Sequence, residues 1–224
     1  MHLYIGNKNY SSWSMRPWLL MKHAGIAFEE RALRLDWAES SPFKQTLLAI
    51  APTGRVPLLV DDGFAVWDSL AIAEYLAEQH PEKRLWPADR LQRARARSLC
   101  AEMHSGFGDL RNAFVMNIEA ELGDVGARVL REQPKAAADV ARIDAMWTVA
   151  LERSGGPFLF GEFCIADAFY APVCSRFKTY ALPLGPAAAA YAERVRALPA
   201  FTEWADAARA EHDWIADDEP YRTR

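Results

Sequence analysis

The chain has 224 residues, 51% of them hydrophobic, enough to bury one large core or two modest ones. Lys and Arg number 26 against 30 Asp and Glu, a formal charge of −4 that argues against nucleic acid as a partner. The cysteines (Cys100, Cys164 and Cys174) form no CxxC or metal-ligand spacing, and no signal core or membrane-length apolar run is present, so the expectation is a reduced, cytoplasmic protein without metal.

In chain order, Leu3–Ile5 reads as a short buried strand, and a helical pattern then runs to Ala24 with Gly25 as its C-terminal cap. Between them lies Tyr10-Ser11-Ser12-Trp13-Ser14-Met15-Arg16-Pro17-Trp18, a loop that becomes the first turn of a helix. Its serines suit helix capping. Equally, a helix N-terminus with free N–H groups and nearby hydroxyls favours an anion, and a thiolate is one such anion. Ala27–Leu35 resembles a second strand, and Pro42–Ile50 a short helix opened by proline. Val56–Pro57 starts the next strand. It fits either an ordinary trans turn or a cis bond that turns the Val56 main chain outward, ready to pair with an extended peptide. Asp62-Gly63 joins Leu58–Val60 to Phe64–Val66 as a hairpin. Asp68-Ser69 opens a helix carrying Leu70, Ala73, Leu76 and Ala77. The pair is either a plain cap or a clamp, with Ser69 and the first N–H groups taking a carboxylate and Asp68 an ammonium. These elements make a small α/β domain over residues 1–80.

Residues 81–90 carry two prolines and several charges and read as a linker. From 91 to 224 the pattern is helical. Ala96, Leu99, Met103, Phe107, Leu110 and Phe114 form one stripe, with Gly106 and Gly108 marking a kink or a close approach to the backbone. Val140, Ile143, Trp147 and Leu151 form another, begun at Pro134 and ended by Gly155-Gly156. Phe169 to Phe177 and the stretch around Trp204 supply two more. Asp167, three residues after Cys164, reads as a structural carboxylate at a helix start. Arg111 and Arg176 interrupt apolar faces, so each needs either an acidic partner or an anionic co-substrate.

SSWSMRPWLL, TGRVPLLV, DSLAIAEYL and GEFCIADAFYAPV, in this order and spacing, resemble the cytosolic glutathione S-transferase family over essentially the whole length. The serine loop is similar to the SSCSxR signature of its zeta class, of the serine type found in bacteria. The resemblance implies a thioredoxin-like N-terminal domain followed by an all-helical C-terminal domain, and a homodimer formed through the first two C-terminal helices. It further implies glutathione as co-substrate, a cis Pro57, Val56 on the cysteinyl backbone, and Asp68 with Ser69 on the γ-glutamyl end. Lys44 and Arg55 are candidates for the glycyl carboxylate, and Trp13 lies beside the bound tripeptide. Ser11, five residues before Arg16, would donate to the sulfur and keep it ionised, with Ser12 as the alternative. For a small electrophile the candidates are His104, Phe107, Arg111, Arg176 and Tyr180, with Met103 and Tyr170 nearby. Trp13 stands where zeta enzymes carry cysteine, Asp68 where Glu or Gln is commoner, and Cys164 where the helix cap is Ser or Thr. The expected activity is glutathione transfer to an electrophile, in detoxification. The alternatives are a glutathione-dependent reductase, an isomerase such as maleylacetoacetate isomerase, a non-catalytic interaction module, or a glutathione-independent carrier.

Overall fold

Leu3 and Ile5 bury one side of a short strand while His2 and Tyr4 turn to the other, and around that alternation a sheet assembles. The computed structural model describes residues 1–223. Its four strands, β1 (His2–Ile5), β2 (Glu29–Ala32), β3 (Leu58–Asp61) and β4 (Phe64–Trp67), lie in the order β2-β1-β3-β4. β1 pairs in parallel with β2 and antiparallel with β3, and β3 turns into β4 through Asp62 and Gly63, both at positive φ. α1 (Ser12–Ala24) and α3 (Ser69–Gln79) cover one face, where Leu3, Ile5 and Leu59 join Met15, Leu19, Ile72 and Leu76 in one core. α2 (Pro42–Leu48) closes the other, with Phe43 and Leu47 packed near Leu58.

β2 is shorter than the expected Ala27–Leu35. Leu33 still donates to Ile5, but the Leu35 N–H goes to Asn7 Oδ1 at 2.8 Å, so the chain leaves the ladder. The expected Pro42–Ile50 helix ends at Leu48.

The rest is helical: α4 (Arg90–Ser105), α5 (Gly108–Ala113), α6 (Gly123–Glu132), α7 (Pro134–Ser154), α8 (Ile165–Thr179), α9 (Pro186–Arg196) and α10 (Pro199–Glu211). α8 is buried along nearly its whole length, with α1, α4 and α9 packed on it, as an all-round apolar helix must be. Its start is organised by Asp167, fully buried, which accepts from Cys164 N–H (2.9 Å), Leu159 N–H (3.1 Å) and the Tyr191 hydroxyl (3.0 Å).

The stripe through Gly106 and Gly108 is a break, not a kink. Gly106 is extended and Phe107 takes a φ of 53°, so α4 stops and α5 begins in a new direction. A Cβ on Gly106 would come to 2.7 Å from the Glu102 carbonyl. Arg111 Nη1 donates to the Met103 carbonyl at 2.8 Å and to the Gly106 carbonyl, satisfying acceptors left open where α4 ends. α6 and α9 are not among the stripes singled out above; α6 is strongly amphipathic and buries Gly126 and Val129, and α9 buries Ala188, Tyr191, Ala192 and Val195 at helical spacing. Among the described residues no helix is long and apolar enough to cross a membrane, and no side-chain group is arranged to hold a metal ion.

Candidate active site

The serine loop is held from below before α1 begins. The Ser11 and Tyr10 N–H groups both donate to the Asn7 carbonyl, and the Tyr10 hydroxyl donates to Glu219 at 2.7 Å. Ser11 occupies the N-cap position of α1 yet its side chain makes no capping bond. Its Oγ lies 2.7 Å from the Oγ of Ser14, which itself accepts the Gly6 N–H at 3.1 Å. Ser12, the first helical residue, accepts from Arg176 Nη2 at 3.2 Å. The serines are therefore engaged with side chains rather than with the free N–H groups of α1.

Two adjoining recesses open beside this loop. The larger, ≈ 660 Å³, is lined by Ser11, Ser12, Trp13, Val56, Arg111 and Arg176, with Lys44 and Arg55 also on its wall. The smaller, ≈ 290 Å³, is lined by Pro57, Asp68, Ser69 and His104 and shares Trp13, Arg55 and Val56 with the first. The Val56–Pro57 bond is cis, and among the described residues Val56 makes no main-chain hydrogen bond outside regular structure. Ser69 is 1% exposed and its Oγ has no partner among the described residues, while Asp68 caps α3 by accepting from Leu70 N–H at 2.8 Å. Asp68 takes a φ of 76°, a strained value for a residue with a side chain, and its other oxygen meets His104 Nε2 at 3.1 Å.

Three expected lining residues go elsewhere. His104 is in the smaller recess against Asp68 and Trp13 rather than facing an electrophile beside Arg176. Phe107 is spent on the turn between α4 and α5 and lines neither recess. Tyr180 is wholly buried, packs on Phe114 and donates to the Val115 carbonyl at 3.1 Å. Met103 and Tyr170 are likewise fully buried in the core. Residues that the sequence reading missed include Asn112 and Met116, just past Arg111, and Asp217 with Asp218, all lining the larger recess. The neighbourhood of Arg111 is a signal for the first pair. Nothing in the sequence points to the second.

The electrostatics are dominated by three guanidiniums. Arg176 is 4% exposed; Nε donates to the Phe114 carbonyl at 2.7 Å, Nη2 to Ser12, and Nη1 has no partner among the described residues. Arg16 is buried beneath Trp13 (4.0 Å to the ring centre) and Phe169 (4.9 Å), with Nε and Nη1 unpartnered. Burial, then the charges of Arg176 and Arg111, lowers Arg16 to about 9, and burial lowers Arg176 to about 10. Arg111 is lowered too, chiefly by burial. Among the described residues neither Arg176 nor Arg111 forms an ion pair: their hydrogen-bond acceptors are carbonyls and a serine, and Asp139 acts on Arg111 only through its charge. The site is a cationic recess with two hydroxyls at its edge.

Residues 10–79 match the family described as glutathione S-transferase, N-terminal domain. A protein of Euphorbia esula named glutathione S-transferase zeta class is 30% identical over 163 residues, covering 72% of this chain and 70% of that one. A probable maleylacetoacetate isomerase of Caenorhabditis elegans is 29% identical over 189 residues, covering 82% of each. Among solved structures, a glutathione transferase homolog from a Burkholderia, crystallised with bound glutathione, is similar with a TM-score of 0.68 and 29% identity, covering 93% of this chain and 97% of that one.

Proposed function

This chain belongs to the glutathione S-transferase family, and from that premise we propose that it is an enzyme that binds glutathione as co-substrate and ionises its thiol for attack on a small anionic electrophile. The observation that carries this reading is the position of Ser11 and Ser12, at the start of α1, on the wall of a recess that Arg176 also lines, its buried Nη1 unpartnered among the described residues.

Glutathione would run along both recesses. Its γ-glutamyl carboxylate would take the unpartnered Ser69 hydroxyl and the N-terminus of α3, with Asp68 facing the ammonium. Its cysteinyl main chain would pair with Val56, and Lys44 and Arg55 supply cations for the glycyl carboxylate. That path brings the sulfur to the serine loop beside Trp13.

A free thiol has a pKa of about 8.5 and is mostly protonated at neutral pH. Lowering it by about two units needs somewhat under 3 kcal/mol of selective thiolate stabilisation. A hydroxyl donor, a helix N-terminus and nearby guanidiniums are together sufficient. The Ser11 hydroxyl donates to Ser14 Oγ, which also accepts the Gly6 N–H, so Ser11 serves the sulfur by rotating its hydrogen away from Ser14 when glutathione binds. Ser12 accepts from Arg176, so its hydrogen is available as a second donor. The thiolate would then add to one end of an activated C=C bond whose carboxylate rests against Arg176 and Arg111; the π bond breaks, its electron pair moves to the adjacent carbon, and that carbon takes a proton from water.

The test is the titration of bound glutathione by thiolate absorbance. Ser11→Ala is expected to raise the thiol pKa by about 1 to 2 units, in line with the loss of a charge-assisted hydrogen bond. An unchanged curve in Ser11→Ala, with a shifted one in Ser12→Ala, moves the role to Ser12. No binding of glutathione at millimolar concentration overturns the reading.

A second activity is favoured by the relative named maleylacetoacetate isomerase. The same thiolate, adding to a cis double bond and leaving after rotation about the resulting single bond, would isomerise its substrate with no net loss of glutathione. We also propose a homodimer. The expected interface was the first two C-terminal helices, but α5 buries Leu110 and Ala113, whereas Leu91 on α4 and Val149 on α7 are exposed and border one groove. The α4–α7 face is therefore the better candidate.

A further inference from the structure

The larger recess carries a second sign of charge that glutathione does not use. Asp217 and Asp218, in the turn that follows Ile215, line it together with Arg111 and Arg176. Asp218 Oδ2 is buried and has no hydrogen-bond partner among the described residues. Burial, then the charges of Asp217 and Glu219, raises its carboxyl to about 6. Glu219 is already satisfied by Tyr10, Asn117 and Arg222, so it offers a ligand little. All four side chains line the same recess, yet among the described residues neither aspartate forms an ion pair with Arg111 or Arg176. Opposite charges that share a space without pairing leave both signs open to a ligand that carries both. Arg176 is 4% exposed with Nη1 unpartnered among the described residues, a second sign that the recess is incomplete without a ligand.

We propose that the second substrate of this site is a two-ended electrophile, with a carboxylate held by Arg111 and Arg176 and an ammonium held by Asp217 and Asp218. The inference rests on the glutathione reading above and narrows its substrate class. A dicarboxylate of the same length would set its far anion against the aspartates and be disfavoured, so the acidic wall selects by repulsion as well as by attraction.

Three maleamic acids, N-substituted with 2-aminoethyl, propyl or carboxymethyl, share one carboxylate and one activated double bond and differ in the charge of the tail. Glutathione-dependent turnover of each by the whole protein is measured in the wild type and in the Asp217→Asn/Asp218→Asn double variant. The expected order in the wild type is aminoethyl, propyl, carboxymethyl, with about tenfold in kcat/KM between the extremes, carried mainly by KM. The double variant should compress that spread to within about threefold. If it does not fold, Asp217→Asn alone, at an exposed position, is expected to narrow the spread in the same direction. Should none of the three turn over while glutathione still binds, their affinities for the glutathione complex, read by tryptophan fluorescence, must follow the same order. Equal preference for the three tails, a carboxymethyl preference, or an order unchanged in the variants overturns the inference and leaves the glutathione reading standing. Absence of both turnover and glutathione binding removes that reading and this inference with it.

Discussion

Arg176 shows how much one side chain is asked to do here. It holds the Phe114 carbonyl and the Ser12 hydroxyl with two nitrogens, and among the described residues its third, buried, has no partner. Only a planar fork reaches all three directions from one rigid position. Arg176→Lys keeps the charge but has to abandon at least one partner. For a carboxylate-bearing electrophile we expect KM to rise about tenfold or more, with kcat less affected, which steady-state kinetics on a charged and a neutral acceptor will show. At this scale the sequence was informative where chemistry is local. Ser11, Ser12, Val56, Pro57, Asp68 and Ser69 all line the paired recesses, because each belongs to a short motif whose own turn or helix start orients it. Phe107 and Tyr180 fail because a helical stripe reports burial without saying whether the neighbour is a ligand or the core.

The element that most depends on a single residue is α8. Asp167 satisfies three donors at its start, yet burial pushes its carboxyl from 3.8 to about 6. A folded-state pKa raised above the unfolded one means that the folded protein binds the proton more tightly. Stability from this group is therefore greatest below pH 3.8, declines as pH rises towards 6, and is constant above it. Asp167→Asn should abolish that decline in the urea midpoint across the same window. It should also lower overall stability by about 1–3 kcal/mol, since its amide nitrogen would oppose the Cys164 N–H. Element existence was mostly readable from periodicity and caps, as for α1, α3, α7 and α8. Element ends were not. Gly106 ends α4 because of the nearby Glu102 carbonyl and the reach of Arg111, facts of packing rather than of pattern.

For the whole molecule, two of the exposed large apolar residues sit together on the helical domain where a second copy could cover them, while Trp37, Leu48, Phe64 and Trp67 are exposed on the sheet domain. Leu91 is 69% exposed on α4 and Val149 45% on α7, with Arg95, Arg142 and Arg153 beside the groove between them. Val149→Glu is expected to shift sedimentation from dimer to monomer at micromolar concentration while glutathione affinity stays within about twofold, because an unpaired charge in an apolar interface opposes association. A dimer unaffected by that change would place the interface elsewhere. The acidic wall of the larger recess was illegible in the sequence for a reason that belongs to this scale. Tyr10 and Glu219 are in contact across 209 positions, and no local pattern encodes a neighbour that distant.

The grip of the final stretch on the first loop has a consequence for biosynthesis. Glu211 holds the N–H groups of Lys8 and Asn9, Asp213 holds Asn7, and Glu219 holds Tyr10. A nascent chain still tethered to the ribosome can assemble its sheet early, but the serine hydroxyls of the recess reach their final posture only once that later stretch has left the exit tunnel.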